Sequence, residues 1–202
     1  MWDKITVGKF QQLHDIIAGQ SFENELDKRL HLLACLEDKE PQHYEDMPLP
    51  RFMEEVKKTH FLSVSDIPSV KAKRELVIDG AKYRVLYDFR DLTAGQFIDA
   101  INETKNKDEH VQKLHRILAA ISVPEGKKYG DMPFDDVADA MLEVGILDAQ
   151  AIALFFCDLW SRFLKDIPVY LAKRVRKAKK GDWKKLETAL RNIGVGSNVP
   201  AM

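Results

Sequence analysis

Apolar positions in this chain recur mainly at helical spacing. Leu26, Leu30, Leu33 and Ala34 follow i, i+4, i+7 and i+8, and Val111, Leu114, Leu118 and Ile121 follow i, i+3, i+7 and i+10. Each set predicts one amphipathic helix. Leu49, Phe52, Met53 and Val56 predict another, as do Phe134, Val137, Ala138 and Met141. From Asp148 a longer run carries Ile152, Phe155, Phe156, Leu159, Trp160, Phe163 and Leu164, apolar around most of its circumference. That predicts a central core helix, kinked or restarted at Pro168. One stretch breaks the helical pattern. Residues 75–88 place β-branched and aromatic residues on both sides of Asp79-Gly80, a pair suited to a two-residue turn with positive φ at both positions. A lone two-stranded hairpin is marginal in water, so it must pack on the helices or pair with another chain. Thr59 to Arg74 reads as a connector. A last short helix is expected from Asp182 to Asn192, and the tail from Gly194 is expected to fray.

The pattern repeats. Ile5-Thr6-Val7-Gly8-Lys9-Phe10 reappears as Leu92-Thr93-Ala94-Gly95-Gln96-Phe97. Arg29-Leu30-His31-Leu32-Leu33-Ala34 reappears, with a one-residue slip, as Lys113-Leu114-His115-Arg116-Ile117-Leu118-Ala119, and Tyr44-Glu45-Asp46-Met47-Pro48 reappears as Tyr129-Gly130-Asp131-Met132-Pro133. The same order at nearly one offset predicts a duplicated unit of about 55 residues with three short helices per copy. Thr6 and Thr93 are placed to cap a helix, with Ile5 stapled to Phe10. Gln96 completes a capping box with Thr93, whereas Lys9 leaves the first copy without one and opposes the helix dipole. Gly8 and Gly95 point either to close approach of another backbone or to ordinary turn freedom. Each Asp-Met-Pro reads as a helix start, with proline in the first turn.

The expected fold is therefore mainly α: internally duplicated three-helix units, one inserted β-hairpin and a long C-terminal apolar helix. The divisions are a first unit at 1–58, connector and hairpin at 59–91, a second unit at 92–147, and the apolar helix with a basic helical tail at 148–202.

Charge adds one asymmetry. The chain of 202 residues has 31 Lys+Arg against 32 Asp+Glu, a formal charge of −1. Between Lys165 and Arg191, ten basic residues face three acidic ones, giving +7 and leaving about −8 elsewhere. Lys173, Arg174, Arg176, Lys177, Lys179, Lys180, Lys184 and Lys185, with Trp183 able to stack on a base, are candidates for anion or nucleic-acid contact. A solvated face or contact with an acidic protein surface explains the same run. The apolar helix offers Phe155, Phe156, Trp160 and Phe163 as partner-binding residues wherever its second face is uncovered.

No catalytic, cofactor or metal constellation emerges. The ten glycines form no phosphate-binding spacing. His110 and His115 stand five apart and do not share a helix face as ligands four apart would, and His31 and His115 occupy equivalent repeat positions suited to packing. Cys35 and Cys157 make neither metal spacing nor a disulfide framework, which suits a reducing compartment. Asp135, Asp136 and Asp139 read as a solvated acidic face at a helix start. The N-terminus lacks the apolar core of a signal peptide, and the apolar stretch Ala149 to Leu164 holds Asp158 and Arg162 and is too short for a bilayer. A soluble cytoplasmic protein that is not an enzyme and carries no cofactor is the expectation.

Thr93-Ala94-Gly95-Gln96-Phe97-Ile98-Asp99, the preceding Gly80-Ala81-Lys82-Tyr83-Arg84-Val85, the helix at Leu114-His115-Arg116-Ile117-Leu118-Ala119 and the apolar run near Leu154-Phe155-Phe156 resemble small phage proteins of the tail assembly chaperone type. The resemblance covers residues 76–165, with an echo at the N-terminus. It implies a mostly helical protein of the host cytoplasm that binds a phage structural protein, such as the tape measure or a tail tube subunit, before assembly. Self-association is compatible with it; nucleic acid ranks behind protein as a partner, and no membrane is implied. The basic C-terminal segment has no counterpart in that pattern and leaves room for a virion structural or adaptor role.

Overall fold

Helix starts anchor the architecture. The backbone N–H of Lys9 donates to Thr6 Oγ1 at 3.3 Å, which opens α1 (Val7–Gly19), while Ile5 is buried beside Phe10. Thr93 opens α6 (Ala94–Thr104) with a complete capping box: Gln96 N–H donates to Thr93 Oγ1 at 3.2 Å, and Thr93 N–H donates to Gln96 Oε1 at 3.1 Å. Lys9, which cannot close such a box, instead spans to the C-terminal end of α2 (Glu25–Leu36). Its Nζ donates to the Cys35 carbonyl at 2.8 Å and pairs with Asp38. A cation there complements the negative helix end.

The computed structural model describes residues 1–19, 21–64, 67–88, 91–106 and 109–156. They are mainly helical, with one small antiparallel sheet. After α2 come α3 (Gln42–Glu45), α4 (Leu49–Val56) and α5 (Phe61–Val64). β1 (Glu75–Ile78) and β2 (Ala81–Val85) then precede α6. The chain continues through α7 (Leu114–Ala120), β3 (Ser122–Pro124) and α8 (Phe134–Met141), and residues 146–156 are helical as α9. Within 7–56, α1 packs on α2 and α2 on α4; within 94–141, α6 packs on α7 and α7 on α8.

Buried positions of these two helical trios correspond. Leu33, Ala34, Tyr44, Phe52 and Val56 form one apolar cluster, with Met47 against it. The residues 85 further on are Leu118, Ala119, Tyr129, Val137, Met141 and Met132; all but Tyr129 belong to or pack on the largest cluster. That cluster also takes the inward side chains Leu76, Ile78, Tyr83 and Val85 of the sheet, and Ile152 and Phe156 of α9. A third cluster, Ile5, Leu13, Leu32 and Ile146, joins α1 and α2 to the start of α9.

Several expectations are corrected. The hairpin is not a two-stranded unit. The turn at Asp79 (φ 48) and Gly80 (φ 78) is as expected, but β2 pairs on its other side with β3, in register Tyr83–Pro124, Arg84–Val123 and Val85–Ser122. This third strand satisfies β2 and ties the insert to α7. The helix expected from Val111 begins at Leu114, because 109–113 run through tight turns. Pro48 and Pro133 are N-cap residues with extended ψ, one position before the expected first turn; Pro50 occupies that turn in α4. The first trio also carries the extra helix α3. Its counterpart holds Gly126 and Gly130 at φ 75 and 90, incompatible with helix. On α2, Leu26 is 39% exposed, while Leu32, absent from the predicted stripe, is buried. α2 is therefore covered on two sides. The apolar helix begins at Ile146, two residues before the predicted Asp148; its expected course beyond 156, and the basic tail, lie outside the described residues.

Candidate functional site

Three backbone hydrogen bonds bring the start of the first trio against the end of the second. Ile146 N–H donates to the Ile5 carbonyl at 2.7 Å, Val7 N–H to that of Val144 at 2.8 Å, and Gly8 N–H to that of Leu142 at 2.9 Å, around an antiparallel bridge between Thr6 and Gly145. Gly8 has a packing reason. A Cβ there would lie 3.4 Å from Leu142 Cβ and 3.5 Å from its carbonyl oxygen, which leaves room for a methyl group and little else. At Gly95 the neighbour is a side chain, with the Tyr129 ring 3.6 Å from a Cβ.

Beside this seam lies an open cleft of about 920 Å³. Ile5, Leu36, Phe61 and Leu142 supply apolar wall, and Lys9, Glu37, Asp38 and Lys58 supply charge. The charges are tied to one another. Lys9 pairs with Asp38. Glu37 accepts hydrogen bonds from Lys58 at 2.5 Å, from the Tyr44 hydroxyl at 2.8 Å and from Lys39 at 2.9 Å. The Lys58 hydrogen bond, then those of Lys39 and Tyr44, hold the Glu37 carboxyl down at about 2. Burial first, and the Glu37 carboxylate second, push the Tyr44 hydroxyl well above the usual tyrosine range, and Glu37 and Glu55 raise the Lys58 ammonium. At neutral pH Glu37 thus keeps its negative charge, Lys58 its positive charge and Tyr44 its proton, which suits orienting a polar contact better than exchanging protons.

Helix α1 also meets α7 through buried polar contacts. Gln11 Nε2 donates to the carbonyls of Val111 and Gln112 at 2.9 and 3.0 Å and lies 3.0 Å from His115 Nδ1. Burial, and then Arg116, lower the His115 pKa. His115 thus packs between the trios. His31, its repeat equivalent, contacts its own helix at the Asp27 carbonyl, 3.1 Å away. Among the described residues no cluster of three His, Cys, Asp or Glu side chains could hold a metal, and no helix is long and apolar enough to cross a membrane.

The predicted partner-binding residues divide. Phe155 is 45% exposed and stands edge-on to Tyr87 with ring centroids 4.6 Å apart; Leu154 beside it is 59% exposed. Phe156 points the other way, 4% exposed within the largest apolar cluster, and serves packing there. Trp160 and Phe163 lie outside the described residues, as do Lys173, Arg174, Arg176, Lys177, Lys179, Lys180, Trp183, Lys184 and Lys185. The cleft escaped the sequence pattern, because Ile5, Glu37, Lys58 and Leu142 share no motif and meet only through the fold. Compared with models of known protein families, with curated proteins and with solved structures, the chain matches none.

Proposed function

We propose that this protein is a non-enzymatic assembly chaperone or scaffold, built from two copies of one helical unit, that holds a segment of a phage structural protein. The tape measure or a tail tube subunit is the proposed client, met in the host cytoplasm. The observation that carries the reading is the cleft beside the seam of the two trios. Its volume is at the upper end of the range for pre-formed ligand clefts, enough for several side chains of a client segment. Apolar walls with fixed, paired charges suit an amphipathic segment, whose apolar side would meet Leu36, Phe61 and Leu142. The offset of 85 between matching buried residues, from Leu33 and Leu118 to Val56 and Met141, supports the duplication. The exposed pair Leu154 and Phe155 offers a second contact.

Co-expression with a phage tape-measure segment and with a tail tube subunit tests this. A complex that survives purification with one of them, and is lost in Leu142→Glu under conditions where circular dichroism shows the variant still folded, is expected. Independent elution of both clients would refute it.

Charge segregation favours a second reading, a nucleic-acid-binding or virion adaptor role for the basic segment, set at +7 against about −8 elsewhere. It predicts DNA or RNA affinity that falls steeply with salt and is lost on charge reversal at Lys173, Arg174, Arg176 and Lys177. Binding that is absent or independent of salt would remove it.

A further inference from the structure

Helix α1 is held to α7 by a contact that only one protonation state can make. Gln11, 8% exposed, directs Nε2 at three acceptors: the carbonyls of Val111 and Gln112, at 2.9 and 3.0 Å, and His115 Nδ1, at 3.0 Å. The two carbonyls fix the amide, because an Oε1 in that place would face acceptors alone. His115 Nδ1 therefore faces a donor and carries no proton, which leaves the ring hydrogen on Nε2. A proton on Nδ1 would set donor against donor. Turning the amide to offer Oε1 would then set that oxygen against the carbonyls of Val111 and Gln112, so neither orientation satisfies both sides. The first trio does not repeat this arrangement: the equivalent His31 Nδ1 keeps to its own helix at the Asp27 carbonyl, 3.1 Å away.

We infer that Gln11 and His115 form a pH-sensitive latch between the two trios, closed while the ring is neutral and released when it takes a proton. The surroundings of the ring set the direction. Burial first, and Arg116 on the same helix second, disfavour the charged ring, against Asp139 of α8 and Glu103 of α6, which favour it. Arg116 is itself paired with Glu103 and Asp135. From α1 come neutral Gln11 and, a turn further along, His14 and Asp15, the latter taken by the Gln112 side chain. β3 brings no titratable side chain. The unfolded chain takes the proton first, so the latch is closed above about pH 6.5 and gives way below it, as the pH falls through the lower value of the folded ring. The seam bonds of Val7, Gly8 and Ile146 join backbone to backbone and involve no titratable group, so release frees α1 from α7 while the seam holds. The latch belongs to the paired trios and does not depend on the proposed client.

Two-dimensional NMR of the full chain between about pH 8 and 4 tests this, with the His115 ring and the Gln11 side chain followed together. The expected result is that nuclear Overhauser contacts from the Gln11 side chain to Val111 and His115 disappear with the midpoint of the His115 ring. Amides of residues 9–16 and 109–118 should shift with the same midpoint, while Val7, Gly8 and Ile146 hold theirs. His115→Asn keeps an acceptor near the Nδ1 position and takes no proton, so it should keep the contact and lose the response to pH. A response that survives in His115→Asn would trace to another group, His14 included, and overturn the inference. So would a His115 ring that is protonated with the Gln11 contacts intact, or only when the whole chain unfolds. If His115→Asn loses the native fold, the comparison of midpoints in the unaltered chain decides.

Discussion

Replacing Glu37 with glutamine isolates the charge network at the cleft. Glu37 keeps its carboxyl at about 2 against an ordinary 4.5, chiefly through Lys58 and then through Lys39 and Tyr44. At ~1.4 kcal/mol per pH unit that difference has an upper bound of ~3 kcal/mol. Side-chain exposure of Lys58 and Lys39 is 44% and 41%, so water and salt screen both cations, and about 1–2 kcal/mol is expected in practice. The sign follows from the depressed value. The unfolded chain binds the proton first, so the stabilisation is complete above about pH 4.5 and fades as pH falls toward about 2. Urea unfolding of the original chain and of Glu37→Gln at several pH values between 7 and 2 measures it. Glu37→Gln should be less stable by about 1–2 kcal/mol at pH 7, and the gap should close between about pH 4.5 and 2 and shrink in 1 M salt. A gap that stays constant to pH 2, or closes near neutrality, would refute the network as its source.

Other perturbations read other parts of the fold. Leu33→Ala and Leu118→Ala, at matched and fully buried positions, should each cost ~2–5 kcal/mol in chemical unfolding, and a cost below ~1 kcal/mol at either would contradict its place in a core. Thr93→Ala removes the capping box of α6 and should cost about 1 kcal/mol in the same assay; an unchanged midpoint would count against the box. Gly80→Ala forces a side chain into positive φ and should lower stability by ~1–2 kcal/mol, whereas an equal or higher melting temperature would exclude the turn as described. NMR titration of His115 should give a pKa below 6.5, because burial against Gln11 disfavours the charged ring, and a value above 6.5 would reverse that reading.

Local features of this fold were legible in the residues because their causes are local. Thr93 and Gln96 stand three apart, as a capping box requires, and Asp79-Gly80 supplies a turn whose dihedrals few other pairs accept. The stripe of α8 was readable because its apolar face is one-sided, whereas on α4 only Phe52 and Val56 of the expected four are buried and Leu49 and Met53 stand 62% and 46% exposed. Features with non-local causes were not. β3 is three residues long, follows α7 after one residue, and exists because β2 has a free edge beside it. Leu32 breaks the predicted stripe of α2 because α1 covers a second side of that helix. Lys9 looked unfavourable at a helix start until Cys35 and Asp38 came within reach. Nothing in the spacing of Glu37, Lys58 and Leu142 announces a shared cleft, whereas an aromatic run such as the one that holds Phe155 is visible in any sequence.

Hydrogen–deuterium exchange of the chain alone and with its co-purified client tests the docking role most directly. Added protection is predicted at residues 5–9, 36–38, 58–61 and 142–143, the walls of the cleft. Protection confined to the sheet or to the outer face of α4, with those four segments unchanged, would contradict it.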